Sequence, residues 1–350
     1  MELGLSTFGD MQPEGVAGGA VLAAQRMAQL LEEAKLADEL GLDVFALGEH
    51  HRPDFVIAAP EVALAGIATI TKKLRLSSAV TVLSSADPVR TFQHFATLDL
   101  LSGGRAEIMA GRGSFIESFP LFGNKLEDYD ELFAEKLDLL LQINQRERIT
   151  WTGHLRAPIQ DKGIYPRPLQ QQLPIWIAVG GTPASMVRAG SLNLPVTIAI
   201  LGSNPEQFLP MVDLYRKSAE RAGHNVQQLQ LALNMHMHIA DDSQQAADEY
   251  WPVYQALMNR IGRERGWSPL SREQYEYMRS PRGSLLVGNP EEVTAKLLHL
   301  HSQFNNTRFL GQLITGKDLA HDRLLHSIRL FGTVVAPAVR KALQNKPAEA

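Results

Sequence analysis

The chain has 350 residues, 45% of them apolar and 21% charged, with a formal net charge of −4 and no cysteine. This composition excludes a wholly disordered chain and offers no basic footprint for nucleic acid. Without cysteine, thiolate nucleophiles, disulfides, thiolate-bound zinc and protein-ligated iron–sulfur clusters are excluded as well.

In chain order, Leu3 to Phe8 reads as a short strand. Its surroundings carry neither the basic region nor the apolar core of a signal peptide, and no apolar run reaches the roughly 18 residues of a membrane span. The expected location is the cytoplasm, with no membrane or nucleic-acid partner. A glycine-rich loop follows, then a helical pattern from Gln25 to Leu40 that Gly41 is placed to end. Asp43 to Leu47 forms a second strand, with Glu49-His50-His51 just beyond it.

The alternation then repeats. Ala59 to Lys73 is helical in pattern, and Leu76 to Leu83 carries the branched residues of a buried strand. Pro88 opens a helix to Leu101, Ser102-Gly103-Gly104 stops it, and Arg105 to Ala110 is a fourth strand. A longer segment holds a helix from Tyr129 to Ile143 and an irregular, proline-bearing stretch from Trp151 to Pro174. Ile175 to Val179 and Val196 to Leu201 supply strands five and six. A seventh lies within Leu229 to Ile239 and an eighth within Asn306 to Leu313, before a last helix around Asp318 to Leu343.

Eight strands separated by helical crossovers predict a parallel α/β architecture. A (β/α)8 barrel explains the count most economically, and an open doubly wound sheet is the alternative. The long connections after strands four and seven read as lids or subdomains. Residues 1–343 are expected to form one domain, with a short polar tail at 344–350.

In a barrel, the loops after the strand ends form the working rim. That rule singles out Leu47 to His51, Leu83 to Pro88, Ala110 to Ser114 and Val179 to Pro183. A histidine of Glu49-His50-His51 can donate a hydrogen bond to an electron-rich cofactor or move a proton near neutral pH. The plainer reading is a capped loop in which one histidine orients the other. Arg112, between Gly111 and Gly113, presents a planar fork suited to phosphate; a surface arginine in a tight turn is the alternative. Gly180-Gly181-Thr182-Pro183 precedes a helix from Ala184 to Ala189, whose free N–H groups and threonine hydroxyl suit an anion or form an ordinary cap. The glycine spacing is not a dinucleotide fingerprint. His236 and His238 share a strand face and can hold a metal, but no third ligand is visible, so they read as structural and no metal is expected. Trp176 reads as core.

Taken together, the ordered segments resemble the bacterial luciferase-like monooxygenase family of flavin-dependent oxidoreductases. The segments are Leu47-Gly48-Glu49-His50-His51, Ala86-Asp87-Pro88-Val89-Arg90, Leu98 to Arg105, Gly111-Arg112-Gly113, Leu173 to Pro183, and Val287 to Val293. The resemblance runs from the first strand to about Leu343. It implies a (β/α)8 TIM barrel with longer insertions after strands 4 and 7. It implies an enzyme that uses reduced FMN and dioxygen to oxidise a small organic substrate, with the deazaflavin F420 and hydride transfer as the alternative cofactor chemistry. A non-catalytic structural or regulatory barrel subunit is the non-enzyme alternative, and a metal hydrolase centred on Glu49, His50, His236 and His238 a further one. The family's habits imply a homodimer supplied by a separate flavin reductase. The resemblance places His50 beside the flavin, Arg112 at the phosphate, Gly180, Gly181 and Thr182 in a second phosphate loop, and Val82, Leu83 and Ser84 under the ring system. Ala79-Val80 falls where some relatives carry a cis peptide bond that no proline explains. Light-emitting members carry a reactive cysteine where this chain has Gly111, so light emission is not implied.

Overall fold

The computed structural model describes residues 1–11, 19–113, 115–202 and 204–345. The glycine-rich loop after the first strand, Ser114 and most of the C-terminal tail expected at 344–350 therefore lie outside the described residues. β1 (Glu2–Thr7), β2 (Val44–Leu47) and β3 (Arg75–Ser78) pair side by side, and β4 (Thr81–Val82) carries the line of β3 onward against β5 (Ala106–Gly111). A separate antiparallel hairpin, β6 (Arg148–Trp151) and β7 (Ile159–Gly163), follows. β8 (Ile175–Val179), β9 (Val196–Ala199) and β10 (Leu231–Ile239) continue the ring, and β11 (Leu286–Gly288) extends only the far end of β10. β12 (Arg308–Leu313) closes the ring between β10 and β1, with Arg308 opposite both Glu2 and Ala232. Eight parallel strands thus form a closed barrel, which settles the choice against an open sheet.

The strands are buried on both sides, as their apolar runs require. Outward side chains such as Leu3, Leu5, Phe45 and Leu233 join the layer shared with the helices, where Phe92 packs from the helix side. Val44, Ala46, Met109, Trp176, Ala232 and Leu310 fill the inside of the barrel. Trp176 is therefore core, and the Arg308 guanidinium lies over its ring at 4.1 Å. Near the strand starts, Arg308 and Arg75 both bind the buried Glu107. Burial would push that carboxyl up, but the two arginines hold it below its usual range. Nearer the mouth, Ser6 donates to Asn234 (2.7 Å) and Asn234 to Gln312 (2.9 Å), tying β1, β10 and β12 together. A barrel filled in this way leaves its C-terminal mouth as the place for a ligand.

Three local expectations change. Leu76 to Leu83 is not one strand: the Ala79-Val80 peptide is cis and separates β3 from β4. The stretch from Trp151 to Pro174 is not wholly irregular, because β7 pairs there with β6. β7 has a single buried side chain, Ile159, at its start, so it lacks the alternation by which strands are read. The last helix is divided into His321–Leu330, a π-helical turn at Phe331–Val335, and Ala336–Gln344. Gly332 lies in that turn, and a Cβ there would come within 2.7 Å of the Leu40 Cβ.

The long connections do follow the fourth and seventh barrel strands. After β10, the helix Ser243–Arg265 is capped by Asp242, which accepts from Gln245 N (2.8 Å), and ends at Gly266 in the left-handed region (φ 71°). Its last turns reach the loop after β2. Arg260 faces Asp54 at 3.2 Å and Glu264 accepts both terminal nitrogens of Arg52. The helix therefore roofs the sector of the mouth that runs from β10 past β12 and β1 to β2.

Candidate active site

Glu49 is the hub of the β2 end. It is 9% exposed; one oxygen accepts from Val82 N (2.8 Å) and the other meets His51 Nε2 (2.9 Å). The hydrogen bond that His51 Nε2 donates to the Glu49 carboxylate raises the imidazole above its ordinary range. The same carboxylate thereby fixes the turn after β4 and orients the outer histidine. His51 also sets its ring edge-on to Phe122.

His50 points elsewhere. Its ring packs against Phe8 (4.6 Å), Phe55 (4.4 Å) and Phe115 (5.0 Å), and its buried Nε2 has no partner. Burial pushes the imidazole down to about 4, so it is neutral at neutral pH. Two more orphaned hydroxyls, Thr81 Oγ1 and Ser84 Oγ, are buried on the next segment. That segment is held on three sides. Val82 N is bonded to Glu49, Leu83 N donates to Gly111 O (3.0 Å), and Lys136 Nζ donates to Ser84 O (2.6 Å). Buried polar atoms without partners are uncommon, and three around one strand end mark a place where a bound molecule completes the hydrogen bonding.

Arg112 and Thr182 meet across the β5 and β8 ends. Arg112 Nη2 donates to Thr182 Oγ1 at 2.7 Å, its other terminal nitrogen pairs with Asp130, and its guanidinium lies over the Tyr129 ring at 5.0 Å. Thr182 is the N-cap residue of helix Pro183–Ser191, yet its hydroxyl makes no cap bond and is turned to the arginine instead. Pro183 has no N–H and Ser185 N donates to Thr182 O (3.1 Å), which leaves the Ala184 N–H for another acceptor. Gly180 and Gly181 have open space where a Cβ would stand, and Gly181 has φ 134°, a conformation that favours glycine. A guanidinium, a hydroxyl and a bare helix start converge here, a donor set suited to phosphate.

Gly111, by contrast, is closed. A Cβ there would sit 2.7 Å from Val80 Cγ2, so the backbone of β5 and the cis-linked Val80 occupy the room a side chain would need.

Several participants were not singled out in the sequence. Asp130 and Tyr129 flank Arg112 from the insertion after β5, and Arg188 lies near enough that the Arg112 charge, after burial, helps to lower its pKa. A spacing of six residues after Thr182 was the only trace of Arg188. Asp10, just after β1, is 4% exposed with both carboxylate oxygens unpartnered, and burial raises it to about 7. Its position after a strand was a usable signal, but a lone aspartate beside a glycine-rich loop reads as turn chemistry.

His236 and His238 do not join the site as a metal pair. The His236 ring lies against Tyr254 (5.4 Å), and His238 Nε2 binds Glu249 at 2.9 Å with its ring stacked on Tyr250 (5.5 Å). Glu49 is engaged by Val82 and His51, so the hydrolase constellation of Glu49, His50, His236 and His238 does not assemble. Among the described residues, no group of three or more His, Asp or Glu side chains is arranged to hold a metal ion. No described helix is long and apolar enough to cross a membrane.

The chain matches the luciferase-like monooxygenase family model over residues 1–306 and belongs to that family. It is 25% identical over 348 residues to the uncharacterized protein y4vJ of Sinorhizobium fredii, covering 94% of this chain and 98% of that one. Among solved structures it resembles the monooxygenase RslO1 of Streptomyces bottropensis, with a TM-score of 0.83, 24% identity and coverage of 96% and 99% of the two chains. It also resembles the oxygenating constituent of 3,6-diketocamphane monooxygenase from Pseudomonas putida, solved in complex with FMN. That match has a TM-score of 0.75, 19% identity and coverage of 96% and 98%.

Proposed function

We propose that the chain binds reduced FMN across the barrel mouth and uses it with dioxygen to oxidise a small organic substrate. The observation that carries this reading is the Arg112–Thr182 hydrogen bond, which joins two separate phosphate-suited loops at the mouth of a family barrel. The residues present fit the cofactor. Arg112, the Thr182 hydroxyl and the open Gly180-Gly181 turn would hold its phosphate. The segment Val82, Leu83 and Ser84, with the orphaned Ser84 hydroxyl, would border its ring system. Bound reduced flavin supplies the electrons that activate dioxygen, chemistry for which side chains have no equivalent.

The chain's own residues then do three things. Arg112 and Thr182 bind and orient the phosphate end. His50, kept neutral by burial, holds a hydrogen bond or passes a proton at Nε2. The roof helix Ser243–Arg265, latched through Arg260–Asp54 and Glu264–Arg52, excludes water from the opposite sector. Anaerobic titration with reduced FMN, followed by mixing with dioxygen, tests the proposal. Saturable binding and oxygen incorporation into a substrate drawn from a broad panel are expected. Failure to bind FMN, or saturable binding of F420 in its place, would overturn it. Supply of the flavin by a separate reductase and assembly as a homodimer belong to the same reading.

A further inference from the structure

Asp10 is an unneutralised carboxyl inside the roofed sector. The cations in its field are committed elsewhere. Arg26 grips Glu33 through both terminal nitrogens (2.6 and 3.0 Å), and Arg260 faces Asp54 at 3.2 Å. Arg26 and Arg260 each keep a buried Nε without a hydrogen-bond partner. Asp10 and Arg26 line the same cavity of about 250 Å³, whose apolar wall includes Leu22 and Leu324. Asp10 also borders a second cavity of about 430 Å³ beneath Ser243–Arg265, walled by the apolar Val253, Leu257 and Ile314 and by the charged Arg260, Arg263 and Asp318. The larger volume lies within the range of small-molecule sites.

A ligand group that reaches Asp10 meets a carboxyl with an arginine donor lining the same space. An ammonium would pair with Asp10, but it cannot accept from Arg26 and lies in the field of Arg26 and Arg260. A carboxylate cannot donate to Asp10 and faces its charge. An ether or ketone leaves Asp10 unsatisfied in its ionised form, the form that prevails above about pH 7. A hydroxyl both donates and accepts, and carries no charge. We infer that these cavities form the organic-substrate subsite, and that the substrate presents a neutral hydroxyl to Asp10 and Arg26. This assignment rests on the oxygenase reading for its role but not for its chemistry. An ordered water bridging the two groups is the competing occupant.

The test uses the full chain and matched naphthalenes as probes at pH 8, where Asp10, raised to about 7, is mostly ionised. 2-Naphthol should bind about tenfold tighter than naphthalene, the range of one or two well-made hydrogen bonds. 2-Methoxynaphthalene, which accepts but cannot donate, should bind no tighter than naphthalene. In Asp10→Ala the 2-naphthol preference should fall to within about twofold, and Asp10→Asn, which still donates and accepts, should restore most of it. FMN affinity, measured separately, should be unchanged in both variants. The proposal is overturned by equal binding of 2-naphthol and naphthalene, by a preference that survives Asp10→Ala, or by tighter binding of 2-methoxynaphthalene, naphthylmethylammonium or 2-naphthoate. Absence of saturable binding by every probe also overturns it. The methoxy comparison needs no variant, so it stands if Asp10→Ala fails to fold. Loss of FMN binding with the hydroxyl preference intact would sink the oxygenase reading and leave the hydroxyl site standing.

Discussion

Arg112 and Thr182, 70 positions apart in the chain, are joined by a 2.7 Å hydrogen bond from the guanidinium to the hydroxyl. The bond explains why a threonine at a helix start leaves its own helix uncapped. It also gives a direct expectation. Thr182→Ala removes one donor to the phosphate and the orienting partner of Arg112, so reduced FMN should bind about tenfold more weakly. Reduced riboflavin, which lacks the phosphate, should be unaffected; comparative fluorescence titration decides.

Asp130 holds the other end of the Arg112 fork from a mostly exposed position, with its side chain 80% accessible. A phosphate arriving at Arg112 must compete with that carboxylate. Asp130→Asn should therefore tighten FMN binding by about threefold or more, and the gain should shrink at high salt. Unchanged or weaker binding in the same titration would show that Asp130 positions the arginine rather than competing for it.

The backbone at Gly111 is closed by Val80. Gly111→Cys should destabilise the fold by about 1–3 kcal/mol, because the new Cβ overlaps the half-buried, branched side chain of Val80. Pairing it with Val80→Gly should recover much of that loss. A double-mutant cycle by urea denaturation measures the coupling, and strict additivity would contradict the steric account.

Two buried imidazoles make stability pH-dependent. His50 is held down to about 4 and His236 to about 3, both by burial, against an ordinary 6.5. As pH falls below about 6.5 the unfolded chain takes up protons that the native chain refuses, so stability drops towards pH 4. The loss through His50 alone is about 3 kcal/mol by pH 4. His50→Phe should flatten the fall between pH 6.5 and 4, and an unchanged profile would contradict the assignment. Asp10 acts in the opposite direction. Its carboxyl is raised to about 7, chiefly by burial, so the stability it lends is lost as pH rises from about 4 through 7. Asp10→Asn should accordingly be more stable than the parent at pH 8.

Much of the barrel was legible because its physics is local. Leu3, Val44, Ile108 and Ile177 lie in runs of branched residues that only a doubly covered strand wants, and Pro88, Gly103 and Gly41 punctuate the helices between them. The site was legible only as separate loops. His50, Arg112 and Gly180 to Thr182 could each be placed after a strand, but no periodicity shows that Arg112 reaches Thr182. What escaped the sequence was long-range or negative. Asp130 and Arg188 acquire meaning only beside Arg112, and Asp10 only because no hydrogen-bond partner meets its carboxyl among the described residues. The hairpin β6–β7 was hidden by the exposed residues of β7.

The most direct test of the central claim is the phosphate dependence of flavin binding. Reduced FMN and reduced riboflavin should be titrated anaerobically into the parent chain and into Arg112→Ala. The parent should prefer reduced FMN by about 10- to 100-fold, as expected for hydrogen bonds to a charged group, and Arg112→Ala should bind both flavins alike. Equal affinity for the two flavins in the parent chain, or a preference that survives the loss of Arg112, would contradict the placement of the cofactor.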